Sequence, residues 1–148
     1  MSVLAYRTET VIRRPPEEVF DYCSDLRSEL RWNPKANYVE KLTDGPVRVG
    51  TRYRARWSNS GPTAVEVVQF DRPRRWETTA TARGMGIRFH GTVSDTAEGA
   101  RYTAYLELHP KGLARLVAPL ALVIMRRQDG KNMHRIREAL ESATVTSD

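Results

Sequence analysis

The chain is poor in the side chains that build most enzyme centres, holding one cysteine and three histidines in 148 residues. A lone cysteine excludes an internal disulfide and leaves no thiolate metal cluster. Cys23 lies among Val19, Tyr22 and Leu26 at helical spacing, which predicts a buried structural thiol rather than a nucleophile. His90, His109 and His134 stand at no metal-ligand spacing from one another or from a carboxylate, so neither a metal nor a cofactor is expected. A glycine-rich phosphate loop and a nucleophile elbow are missing too. Long apolar runs are also scarce. The longest, 113–125, contains Arg115 and Pro119 and falls short of the roughly 20 residues that cross a bilayer. Met1 leads into charge within a few residues, at Arg7 and Glu9, so a cytoplasmic protein without a signal peptide is expected.

What is abundant is arginine. Of 24 basic residues twenty are arginine and four lysine, against 18 acidic residues, for a formal net charge of +6. Such a charge raises the question of nucleic acid. Acids are interleaved, however, at Glu9, Glu17, Glu18, Asp21, Glu66, Asp71 and Glu77. The helix-turn-helix pattern, zinc ligands and aromatic RNA-binding segment are all absent, so nucleic acid is disfavoured and a solvated basic face preferred. The most informative basic stretch is 50–57, where Arg52, Arg54 and Arg56 alternate with Tyr53, Ala55 and Trp57. A period of two sets guanidinium groups on one face of a strand and aromatic rings on the other. The rings carry polar tips, which suits a ligand pocket as well as a packed interior.

Alternation predicts a first strand over 3–12, with Leu4, Tyr6, Thr8, Thr10 and Ile12 on one side. Pro15 and Pro16 open a helix whose first turn takes Glu17 and Glu18, and whose buried stripe is Val19, Tyr22, Cys23 and Leu26. A second short helix covers 28–32 and ends at Asn33-Pro34. Strands come next at 38–43, 50–58, 63–70, 75–82, 86–95 and 100–109, joined by turns such as Asp44-Gly45-Pro46 and Asn59-Ser60-Gly61-Pro62. Short, evenly spaced strands argue for an antiparallel meander. A final helix runs from Leu113 to about Ala143, with Leu122, Met125, Asp129, Met133, Ile136 and Leu140 in one stripe. Pro119 predicts a kink or a short separate helix, and 144–148 are expected to fray.

This order resembles the START-like (SRPBCC) superfamily with its helix-grip fold, and within it the bacterial polyketide cyclase/dehydrase-like branch. The matching stretches are 14–20 (Arg-Pro-Pro-Glu-Glu-Val-Phe), 31–34 (Arg-Trp-Asn-Pro), 49–53 (Val-Gly-Thr-Arg-Tyr), 66–73 (Glu-Val-Val-Gln-Phe-Asp-Arg-Pro), 109–113 (His-Pro-Lys-Gly-Leu) and Leu140-Glu141. They span nearly the whole chain and are turns, caps and core positions, specific to fold rather than to chemistry. The resemblance implies an α+β domain over 1–148: a curved seven-stranded antiparallel sheet around a long C-terminal helix, with two short helices after strand 1. It also implies a cavity between sheet and helix for a lipid, polyketide intermediate or other hydrophobic molecule. Fold alone does not imply cyclase activity.

On the strand faces expected to line that cavity, alternation selects Tyr53, Trp57, Trp76, Phe89, Tyr102 and Leu106, and the final helix adds Met125, Met133 and Ile136. Asp129 is the sharpest chemical candidate, because its stripe would carry a carboxylate into a low-dielectric space. Surface exposure and pairing with Arg126 are the competing readings. Three functions are open. The first is binding of a small hydrophobic or aromatic ligand. The second is a cyclase or dehydratase using Asp129 with the hydroxyl of Tyr53 or Tyr102. The third is a protein-interaction module acting through the basic face. A homodimer is the default assembly.

Overall fold

Inward and outward side chains alternate from Leu4 to Ile12 and make β1, an edge strand. The computed structural model describes residues 4–58 and 60–142. Pro16 then starts α1 (Pro16–Ser24), whose first turn carries Glu17 and Glu18. Val19 and Phe20 are its fully buried side chains. The helix stops two residues short of Leu26, because Asp25 is extended and its carboxylate caps the Arg27 N–H at 3.1 Å. Leu26 thus leaves the expected α1 stripe and joins a 3-10 turn (Leu26–Ser28) that packs near Tyr53. α2 (Glu29–Trp32) comes immediately after it.

The meander comprises β2 (Ala36–Lys41), β3 (Arg52–Trp57), β4 (Gly61–Asp71), β5 (Arg75–Ala82), β6 (Met85–Thr96) and β7 (Gly99–Pro110). All seven strands form one antiparallel sheet in the order β1-β7-β6-β5-β4-β3-β2. β2 starts two residues earlier than expected and ends before Leu42, and its register shifts between Ala36 and Tyr38. A second shift, between Val67 and Gln69 of β4, lets both Val67 and Phe70 face the interior. The longest helix, α3 (Ala114–Ser142), continues through Pro119 with no separate helix before it. Pro119 lies inside the helix and leaves the Arg115 carbonyl without its i→i−4 donor. Expectations for Val3, Asn59 and Ala143 through Asp148 lie outside the described residues.

α3 packs chiefly on β1 and touches β7 and α2. The main apolar cluster joins Ile12, Val19, Phe20, Trp76, Tyr102, Met133, Ile136 and Leu140, locking both ends of the chain to the sheet. Its aromatic centre is Trp76, stacked on Tyr102 (ring centroids 5.8 Å, 8° between planes) and met edge-on by Phe20 at 5.2 Å. The concave half built from β3, β4 and β5 has its own cluster around Tyr53, Val65 and Val67. Inward-facing Trp57, Thr78, Ala80 and Phe89 keep partial exposure, so the sheet is covered less completely there than under α3.

Candidate functional site

Asp129 turns inward from α3. Its carboxylate accepts a hydrogen bond from the hydroxyl of Tyr6, on the inner face of β1, and the side chain of Asn132 on the next turn also favours its charged form. The carbonyl of the Asn132 side chain in turn accepts from Arg135 Nη1 at 2.9 Å, which fixes the amide with its N–H groups toward the carboxylate. Burial pushes the Asp129 carboxyl above the ordinary range, and the bonds from Tyr6 and Asn132 restrain the rise. Burial and the adjoining carboxylate together push the Tyr6 hydroxyl far up, so it stays protonated and donates. Arg126 forms no ion pair with Asp129 among the described residues.

A second carboxyl with a raised pKa lies on α2. Glu29 Oε1 accepts from Trp57 Nε1 at 2.9 Å and from Asn33 Nδ2 at 2.8 Å. The Asn33 carbonyl oxygen accepts the Lys35 N–H at 3.0 Å, so this amide too is oriented by a donor on its oxygen. Burial raises the Glu29 pKa to about 7, the charge of Asp129 adds to the rise, and the bonds from Trp57 and Asn33 oppose it. The charge of Asp129 thus reaches Glu29, 100 positions away in sequence (129 − 29). Tyr102 feels the same groups. Burial first, and then Cys23, Asp129, Glu29 and Tyr6, keep its hydroxyl neutral. The Cys23 thiol is pushed well up by burial, consistent with a structural and unreactive role.

The two asparagines meet in a cleft of about 280 Å³ between the end of α2 and α3, lined by Asn33, Pro34, Lys35, Gln128, Lys131, Asn132 and Arg135. Glu29 is thus bonded to a side chain lining this opening, whose other contributors include three cations. Another cleft, of about 370 Å³, lies along α1 and α2 between Asp21 and Arg31, and none of the predicted site residues lines either cleft.

The nine predicted lining residues face the interior but divide among three clusters. Trp76, Tyr102, Met133 and Ile136 belong to the main one, Leu106 and Met125 to one around Tyr6 and Leu108, and Tyr53 and Trp57 to that of β3 and β4. Phe89 bridges the first two. Trp57 is brought directly to Glu29. Tyr53 is not brought to Asp129: its hydroxyl donates to Asp25 Oδ1 at 3.4 Å. The tyrosine that reaches Asp129 is Tyr6, which alternation had placed on the inner face of β1 without marking it as chemical. Glu29, Asn33 and Asn132 had no signal in the pattern, because α2 spans a single turn and two asparagines read as turn or surface residues.

Elsewhere, the arginine face of β3 is partly matched by acids on the neighbouring strands, with Arg52 3.6 Å from Glu66 and Arg54 3.6 Å from Glu40. His90 and His109 lie near Glu77 and Glu107, and His134 near Arg137. No group of three metal-ligating side chains occurs among the described residues. No helix there is long and apolar enough to cross a membrane.

Residues 4–142 match the family described as polyketide cyclase / dehydrase and lipid transport. The chain belongs to this family. Its fold is shared by solved structures of low identity. A protein of Thermus thermophilus has a TM-score of 0.74 at 18% identity, over 94% of this chain and 98% of its own. A START superfamily protein of Mycobacterium smegmatis scores 0.70 at 13%, over 91% and 98%. A polyketide-cyclase-like protein of Corynebacterium glutamicum scores 0.69 at 17%, over 99% and 96%. At such identities the likeness shows the helix-grip fold alone. Curated proteins give no match.

Proposed function

We propose that this family member binds a small hydrophobic or aromatic molecule between α3 and the open half of the sheet, with a polar group of the ligand bonded to Glu29 and Asp129. The observation carrying this reading is the partly exposed inner face of Trp57, Thr78, Ala80 and Phe89, with the Glu29 carboxyl bonded to Trp57 and the charge of the inward-turned Asp129 acting on it. Both bonds to Glu29 fall on Oε1, so Oε2 is the oxygen a ligand hydroxyl would use. Buried Thr8 Oγ1 and Tyr22 Oη have no hydrogen-bond partner among the described residues.

The test is native mass spectrometry of protein purified from its own host, followed by tryptophan quenching with the ligand so found. Glu29→Gln and Asp129→Asn should each weaken binding by about tenfold, the worth of one charge-assisted hydrogen bond. Absence of any co-purifying molecule, together with no quenching by hydroxylated naphthalenes, would remove the reading.

A second reading is an enzyme of the cyclase or dehydratase type acting on such a ligand. It is favoured by Glu29, whose pKa of about 7 leaves it half-protonated near neutrality beside a second raised carboxyl. A pair so tuned can give and take a proton. Tyr6 replaces Tyr53 as the hydroxyl partner of Asp129 in this reading. Turnover lost in Asp129→Asn with ligand affinity retained supports it, and unchanged turnover excludes Asp129.

A further inference from the structure

We propose that the outer face of α3 at its N-terminal end docks onto an anionic lipid surface. Leu113, Leu116, Val117, Leu120, Val123 and Ile124 are all solvent-facing, with Leu113 84% exposed, Leu116 80% and Leu120 66%. Their spacing by three and four makes them one continuous helical stripe starting at the residue before the helix. The opposite side of the same segment is also apolar, since Ala118 is buried and Leu122 and Met125 pack with Leu4, Tyr6, Leu106 and Leu108. A helix apolar all round belongs in an interior or against a membrane, and a patch of this extent on a soluble protein marks an interaction site.

Charge selects the occupant. Lys111, Arg115, Arg126 and Arg127 flank the stripe, and the sequence has no acid between Glu107 and Asp129. The Lys111 N–H bonds to the Gly84 carbonyl at 2.9 Å, which brings the β5–β6 turn with exposed Arg83 to the same end. None of these five cations forms an ion pair among the described residues. Two copies meeting through this face would oppose unmatched cations on chains that each carry a formal net charge of +6. An anionic headgroup layer instead takes the leucine and valine side chains below its surface and the arginines at it. This inference is independent of what the interior site holds.

The test is co-sedimentation with vesicles of equal phosphatidylglycerol and phosphatidylcholine, against phosphatidylcholine alone. Wild type should pellet with the anionic vesicles only, and less at 0.5 M salt. Leu116→Glu/Leu120→Glu changes exposed side chains, so circular dichroism should show an intact fold while vesicle binding is lost. Arg126→Ser/Arg127→Ser should weaken partitioning by about tenfold or more. Wild type remaining in the supernatant, or pelleting equally with both vesicles, would overturn the proposal. So would light scattering that finds a dimer made monomeric by the leucine variant, with no vesicle binding: the face would then cover a second copy.

Discussion

Glu29 costs the fold stability in its charged form. Its folded pKa of about 7 lies above the ordinary 4.5, so between those values the folded protein holds more protons than the unfolded chain. Stability must therefore fall as pH rises from 4.5 to 7, by about 3 kcal/mol in total, with no contribution below that window and the full cost above it. Glu29→Gln keeps an oxygen acceptor for Trp57 and Asn33 and removes the ionisation. Urea unfolding should give variant and wild type equal stability near pH 4, with the variant gaining through the window. Equal slopes for both proteins would mean that Glu29 is solvated.

At the scale of elements, two glycines separate packing from propensity. A Cβ on Gly91 of β6 would stand 2.3 Å from Cη2 and Cζ2 of Trp76. That ring cannot withdraw, being held between Tyr102 and the edge of Phe20. Gly91→Ala should destabilise by about 1–3 kcal/mol, and with it the anchorage of α1 to the sheet. Gly130 of α3 is exposed with open space about it, so Gly130→Ala should stabilise by about 1 kcal/mol through helix propensity. Thermal unfolding of the pair checks both signs. The elements themselves were legible in the sequence because alternation in Arg52–Trp57 and Gly99–Pro110, and the spaced apolar stripe of α3, are strong periodic signals. The end of α1 was not legible, since it turns on one extended residue, Asp25, whose carboxylate caps the 3-10 turn after it. The outer stripe of α3 escaped notice for a related reason: a run apolar on both faces looks like core until the sheet shows which face it covers.

For the whole molecule, the fold's achievement is to bring a four-residue helix against α3, so that the charge of Asp129 acts on Glu29, 100 positions earlier. Asp129 could be singled out because it interrupts an apolar stripe. Its counterpart could not, because only closure of the sheet over α2 and α3 makes Glu29 its neighbour. Family membership and the sheet order explain the container, whereas the carboxyls, the asparagines and Trp57 are what this chain places within it. The most direct check tracks the Glu29 side-chain carboxyl by carbon-13 NMR across pH, in wild type and in Asp129→Asn. Wild type should titrate with a midpoint near 7, moving downward once the neighbouring negative charge is removed. A midpoint near 4.5 that ignores the substitution would contradict a shared, water-poor site for the two acids.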